Sequence, residues 1–134
     1  MADSVFLYVE NDELSREVMK ALLTRGLGYH DVTMFETSAH FEVHLESLEQ
    51  KPDVIFLDIH MEPIDGFEML KMIRRNQDYY STPVIALTAS VMNEEVRRLR
   101  EAGFDGAIAK PINYDTFSSA LDRILNGEEI WNTK

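Results

Sequence analysis

Residues Val54-Ile55-Phe56-Leu57 form an apolar run without polar alternation, and it ends abruptly on a carboxylate at Asp58. A strand with one wet face alternates, so this run reads as buried on both faces, as in the middle of a parallel sheet covered by helices. Few chains can bury such a strand without an α/β architecture. In open sheets of this kind ligands and chemistry collect at the carboxyl ends of the strands, where Asp58 sits. On this strand alone, Asp58 reads equally well as a reacting group or as the cap of a turn.

The rest of the chain repeats the unit. Val5 to Val9 is a short apolar run, followed by the polar break Glu10-Asn11-Asp12-Glu13 and by apolar Leu14, Val18, Ala21 and Leu22 at helical spacing. That helix is predicted to stop near Gly26 or Gly28, with Val32, Met34 and Phe35 in a second strand. Thr37 or Ser38 is the expected cap of a second helix, whose Phe41, Leu45 and Leu48 share a face and which Pro52 closes off.

After Asp58 a loop from His60 to Ile64 leads to Asp65-Gly66 and a helix marked by Phe67, Leu70 and Ile73. Met69 and Met72 read as filler on its apolar face. Val84 to Leu87 is the fourth strand and ends in Thr88-Ala89-Ser90. Val91, Val96, Leu99 and Ala102 mark a helix with Arg97, Arg98 and Arg100 outside, closing at Gly103. Ala107-Ile108-Ala109 is a short fifth strand ending in Lys110-Pro111, and Phe117, Ala120, Leu121, Ile124 and Leu125 mark the last helix. Five strand-helix units in strict alternation predict a doubly wound α/β fold around a parallel sheet of about five strands. The chain reads as one domain, 1–134, with a core over about 5–126 and an exposed tail over 127–134, Trp131 folding back onto the last helix.

Charge and composition narrow the function. Thirteen basic against 24 acidic residues leave a formal charge of −11, which repels nucleic-acid phosphates and anionic membrane surfaces. There is no cysteine, so disulfides and thiolate zinc sites are excluded. The amino terminus has neither the basic region nor the apolar run of a signal peptide, so the expected location is the cytoplasm. His40 and His44 lie one helical turn apart but lack the glutamate placement of a metalloprotease helix, and they read as solvated. No glycine-rich phosphate loop follows the first strand, where Glu10-Asn11-Asp12 would repel a pyrophosphate.

The strand ends share one chemistry. Glu10-Asn11-Asp12, Asp58, Thr88 and Lys110 each follow a different strand and fall on one edge of the sheet. Acids hold a divalent cation, a hydroxyl donates to an anion and an ammonium neutralises it, which is the equipment for moving a phosphoryl group onto a carboxylate. With Val9-Glu10, Asp58, Asp65-Gly66, Thr88-Ala89, Ala102-Gly103 and Lys110-Pro111 in this order, the chain resembles a two-component receiver domain over residues 5 to about 126.

The resemblance implies a flavodoxin-like (βα)5 fold and a single-domain response regulator resembling the chemotaxis regulators. It implies that Asp58 accepts a phosphoryl group from a sensor histidine kinase or a histidine phosphotransfer protein, catalysing only its own phosphorylation and dephosphorylation. Mg²⁺ would be held by Glu10, Asn11, Asp58 and the backbone carbonyl of His60, while Thr88 and Lys110 would take the remaining phosphate oxygens. The Lys110-Pro111 bond is expected to be cis, and the protein a monomer or weak homodimer that binds neither nucleic acid nor membrane.

Three positions depart from the family pattern. The usual pair of acids after the first strand looks transposed, with Asn11 at the second position and an acid following at Asp12. Met61-Glu62-Pro63 reroutes the loop after Asp58, and Ala107 stands where many receivers carry an aromatic ring. Asn11 opens an alternative, a degenerate receiver acting as a phosphorylation-independent interaction module, while Ala107 cannot report phosphorylation by rotating a ring. A haloacid-dehalogenase-type hydrolase, which also forms an aspartyl phosphate, needs a second aspartate where this chain has His60.

Overall fold

In a computed structural model, which describes residues 4–131, the strands are β1 (Val5–Val9), β2 (Asp31–Phe35), β3 (Val54–Asp58), β4 (Val84–Thr88) and β5 (Gly106–Ala109). The helices between and after them are α1 (Glu13–Ala21), α2 (Phe41–Glu46), α3 (Gly66–Arg74), α4 (Asn93–Ala102) and α5 (Tyr114–Leu125). All strands are parallel, in the order β2-β1-β3-β4-β5, so the sheet is the doubly wound one the alternation predicts. The direction of winding reverses between β1 and β3. That reversal leaves the carboxyl ends of β1 and β3 side by side with no connection crossing over them, the place where such sheets hold their ligands.

Every residue of β3 and β4 is buried, in keeping with the unbroken apolar runs. Two cores result, one on each face of the sheet. Leu7, Val9, Ile55, Leu57, Val84 and Ala86 pack under α2, α3 and α4. Phe6, Tyr8, Val54, Phe56, Ile85 and Leu87 pack under α1 and α5. Met69 is fully buried and Met72 partly buried against the first core, filling space as expected.

Local chemistry starts the helices. Asp12, Asp65 and Asn113 each accept a hydrogen bond from the backbone N–H three residues on, at 2.8, 2.9 and 3.1 Å, capping α1, α3 and α5. A π-helical turn, Leu22–Gly26, extends α1, and Gly103 ends α4 with φ of 110°, a left-handed conformation that glycine adopts without steric cost. Among the described residues no helix is long and apolar enough to cross a membrane.

Two expectations are corrected. Neither Thr37 nor Ser38 caps α2, whose first turn is entered through His40 in a left-handed conformation, φ 57°. Ser38 is instead buried, and its hydroxyl accepts from the Ile64 N–H at 2.9 Å, tying down the loop after β3. The tail from residue 127 is not wholly exposed, and Trp131 does not lie on the last helix. Ile130 is buried against β5, and Trp131 packs on the α4 side of the sheet. Residues 132–134 lie outside the described residues.

Candidate phosphoacceptor site

Strand register brings the first two acids together. Val9 pairs with Leu57, so the residues that follow, Glu10 and Asp58, emerge as neighbours at the carboxyl end of the sheet. Both are buried, at 1 and 6% exposure. Lys110 reaches them from the end of β5, with Nζ 2.9 Å from Glu10 Oε1 and 3.7 Å from Asp58 Oδ2. The cluster thus holds two carboxyls and one ammonium, an imbalance that a buried site does not tolerate at no cost.

The titration behaviour follows from that crowding. Burial raises the Asp58 pKa, and the hydrogen bond and charge of Glu10 push it the same way, against the weaker pull of Lys110 and the His60 N–H. For Glu10, burial acts upward too, but hydrogen bonds from Asp58, Lys110 and Tyr8 and the Lys110 charge outweigh it and leave the carboxyl below its ordinary value. Opposite shifts of this kind are what two crowded carboxyls sharing one ammonium produce.

Tyr8 belongs to this site although nothing in the strand-end chemistry singles it out. Its fully buried hydroxyl donates to Glu10 Oε1 at 2.8 Å, and burial followed by the Glu10 charge raises its own pKa, so it stays a neutral donor. The signal was present in the sequence. Glu10 directly follows β1 and its N–H continues the ladder to the Phe35 carbonyl at 3.0 Å, so Tyr8 and Glu10, two apart in extended chain, face the same side. Arg16 adds a bond from its guanidinium to the Glu10 carbonyl at 2.9 Å, and the Asp12 N–H donates to Glu10 Oε2 at 3.2 Å.

The remaining expected residues lie around this centre. Thr88 is buried at the end of β4, its hydroxyl oxygen accepting from the Ser90 N–H at 3.2 Å. His60 is exposed, and its N–H donates to Asp58 Oδ1 at 3.2 Å. Asn11 is exposed at the rim. Asp12 does not move into the site. Its carboxylate is held below the usual range by the Ser15 hydroxyl and N–H while it caps α1. His40 and His44 are both exposed, with ring centroids 6.4 Å apart. The Lys110-Pro111 bond is cis, as is Glu62-Pro63 in the rerouted loop.

The donors fit a hard divalent cation in kind, since carboxylate, amide and carbonyl oxygens are what Mg²⁺ selects. Glu10 and Asp58 are pressed together with one ammonium to compensate them, so added positive charge would relieve the contact. The fit is one carboxylate short: among the described residues no group of three or more His, Cys, Asp or Glu side chains is placed to hold a metal. Any further oxygen beside this pair would be a neutral one, such as Asn11 or the backbone offers.

A family description, the response regulator receiver domain, matches residues 6–122. The chain belongs to the response regulator receiver family. Its place in two-component signalling, as a domain that accepts a phosphoryl group, follows from that membership, and the phosphorylation-independent alternative is not favoured. The receiver is 30% identical over 125 residues to the polar-differentiation response regulator DivK of Brucella ovis, covering 93% of this chain and 98% of that one.

Solved structures agree with the fold. The receiver domain of the Pseudomonas aeruginosa PAO1 sensor histidine kinase PA1611, which carries a magnesium ion in its active-site cleft, aligns with a TM-score of 0.79 at 28% identity, covering 93% of this chain and 99% of that one. The chemotaxis response regulator CheY4 of Vibrio cholerae aligns with a TM-score of 0.81 at 25% identity, covering 91 and 98%.

Proposed function

We propose that Asp58 is the phosphoacceptor of this receiver and that Glu10, Asn11, Thr88, Lys110 and the His60 carbonyl serve it, with Mg²⁺ as cofactor. The observation that carries this reading is the buried cluster of Asp58, Glu10 and Lys110, because a carboxylate beside an ammonium that it shares with a second carboxylate is suited to meet an incoming phosphoryl group at the mouth of the sheet. The magnesium-bearing relative supports the choice of ion. When bound, Mg²⁺ screens the repulsion between the Asp58 carboxylate and the incoming phosphoryl group.

The chain's own groups do the rest. An Asp58 carboxylate oxygen attacks the phosphorus of a phosphohistidine on a sensor histidine kinase or phosphotransfer protein. The P–N bond breaks, the imidazole leaves, and an aspartyl phosphate remains. Lys110, released from Glu10, pairs with a phosphoryl oxygen as charge builds on it, and the Thr88 hydroxyl donates to another. Tyr8 and the Asp12 N–H keep Glu10 from following Lys110. Beside Lys110 an apolar groove of about 170 Å³, lined in part by Leu14, Val18, Pro111 and Ile112, supports docking of the donor next to the acceptor. Leu14, 68% exposed, and Val18, 38% exposed, give that groove an apolar rim.

Incubation with Mg²⁺ and acetyl phosphate should add one phosphate by intact mass, and Asp58→Asn should remove it. Labelling of Asp58→Asn at the parent's rate would overturn the assignment. Uptake by the parent in chelator would remove the metal from the proposal.

A further inference from the structure

Contacts continue past α5. Gly127, φ 88°, turns the backbone out of the helix, and Arg123 Nε donates to Glu128 Oε1 at 3.0 Å. The chain then runs along the open edge of β5, where Ile130 forms a parallel bridge with Gly106. The Ile130 N–H donates to the Asp105 carbonyl at 3.1 Å, and the Ile130 carbonyl accepts from the Ala107 N–H at 2.8 Å. Side chains alternate as they would in a strand. Ile130 enters the core under α1 and α5, and Trp131 packs on the opposite face, with the Arg100 guanidinium of α4 4.9 Å from its ring. The fit has no slack: a Cβ on Gly106 would lie 2.6 Å from the Ile130 carbonyl oxygen.

The same strand is held by the phosphoacceptor site. On its inner edge β5 pairs with β4, Thr88 opposite Ala109, and the Lys110 N–H donates to the Thr88 carbonyl at 2.9 Å. Ala107 stands opposite Ala86, and by the Gly106–Ile130 bridge it is next in register to Trp131, on the same α4 face. A short strand thus connects Thr88 and Lys110 on one side with residues 128–131, a strap along the open edge, on the other. The family match covers residues 6–122 and stops short of this segment.

We propose that residues 128–131 are a built-in occupant of the β5 edge, docked on the unloaded receiver and released when Asp58 carries a phosphoryl group. The proposal rests on the reading of Asp58 above. Two backbone hydrogen bonds at the β5 edge, one buried aliphatic side chain, one ring-cation contact and the exposed Arg123–Glu128 ion pair form a small interface, the kind that opens locally at little cost. Phosphorylation transfers Lys110 from Glu10 to the phosphoryl oxygens, and because Lys110 directly follows β5 and is bonded through its N–H to Thr88, that transfer is passed to the strand. A contact fitted without slack to one position of β5 is weaker in any other, and a contact that differs between two states shifts their populations. Release leaves the Ala107 N–H and Asp105 carbonyl unpaired on an open edge, a surface that accepts an extended segment.

Trp131 is the sole tryptophan, so its emission reports the strap directly. In the full chain, acrylamide quenching of Trp131 and hydrogen exchange of the Ala107 amide are measured for the parent, Gly106→Val and Ile130→Asp. Intact mass is followed in parallel. Both variants should raise quenching and Ala107 exchange several-fold, and Ile130→Asp, which leaves β5 untouched, keeps the comparison valid if Gly106→Val does not fold. Mg²⁺ with acetyl phosphate should move the parent toward the variants as it gains one phosphate, and Asp58→Asn should not move. Equal quenching and exchange in the parent and Ile130→Asp would overturn the docked strap. A phosphate gained with no change at Trp131 or Ala107 would overturn release while the Asp58 reading stands. No phosphate gained by a parent whose strap is docked would overturn the Asp58 reading, and release with it.

Discussion

Two charged clusters lie at opposite ends of the same sheet, and they are built on opposite principles. At the amino end of β4 and β5, Arg74 donates to the carbonyls of Tyr80, Thr82 and Gly103 and to Asp105 Oδ2 at 2.7 Å, and that oxygen also accepts from the Val84 N–H at 2.9 Å. Charges match one to one and the guanidinium fork is well occupied, so the cluster fastens two loops. At the carboxyl end, Glu10 and Asp58 share a single Lys110, and the Asp58 pKa is raised. The first cluster is saturated; the second has charge left over for a ligand. Which ionic cluster is structural and which chemical is told by this stoichiometry, since both are partly or fully buried.

Arg74→Ala should separate the two most strongly. It strands Asp105 and unties the loops, and because the pair is partly exposed, the loss should be about 2 to 3 kcal/mol, below that of a fully buried pair. Thermal melting should show it, with phosphate uptake at Asp58 unimpaired well below the melt. A variant that melts like the parent would mean that the amino-end cluster is ornamental.

Asp58→Asn should have the opposite sign. In chelator near neutral pH, removal of an ionised carboxyl from beside Glu10 should raise the melting temperature. A gain of about 1 to 2 kcal/mol corresponds to several degrees in a domain of this size. The pH dependence follows from the raised Asp58 pKa. Protonated Asp58 carries no penalty, so its share of stability is present below its unfolded value of 3.8 and is lost as pH rises through its folded value. The advantage of Asn over Asp should therefore shrink as pH falls toward 4. Glu10, with its pKa lowered, contributes in the reverse direction, holding stability above 4.5 and losing it on acidification. An advantage of Asp58→Asn that grows in acid would contradict the crowded-pair account.

Asn11→Asp sharpens the comparison by adding charge where the site is one carboxylate short. Mg²⁺ should bind roughly tenfold tighter, about 1 to 1.5 kcal/mol, and the metal-free protein should melt slightly lower. A Mg²⁺ titration and a melt in chelator read both; no change in either would place Asn11 outside the metal's reach. The smallest effect is expected from Tyr8→Phe, which removes one buried donor to Glu10 and keeps the ring. About 1 kcal/mol of stability should go, together with slower uptake of phosphate from acetyl phosphate. Unchanged uptake would make Tyr8 a core residue only.

Much of this receiver is readable along the chain, because the relevant properties are local. Unbroken apolar runs mark β3 and β4, helical spacing marks α3 and α5, and Asp58, Thr88 and Lys110 follow their strands as the pattern says. The expected cap of α2 failed because Ser38 has a competing use: its hydroxyl is spent on Ile64, 26 residues away, a contact no local pattern encodes. The tail was misplaced for a similar reason. Ile130 and Trp131 stand in a polar stretch too short to show a period, and their burial comes from an edge of β5 left open by the strand order.

Sequence alone, then, determined the elements, their succession and the chemical kinds of side chain at the strand ends, because periodicity and turn chemistry act over a few residues. Tertiary structure decided which of those groups touch. Glu10 meets Asp58 because the winding reverses between β1 and β3, and Lys110 meets Glu10 across 100 residues of chain because β5 closes the same side of the sheet. The shifted carboxyls, the recruitment of Tyr8 and the docking of the strap all follow from that proximity. Electrostatic coupling and close packing depend on distance in space, which strand order sets and the linear pattern does not contain.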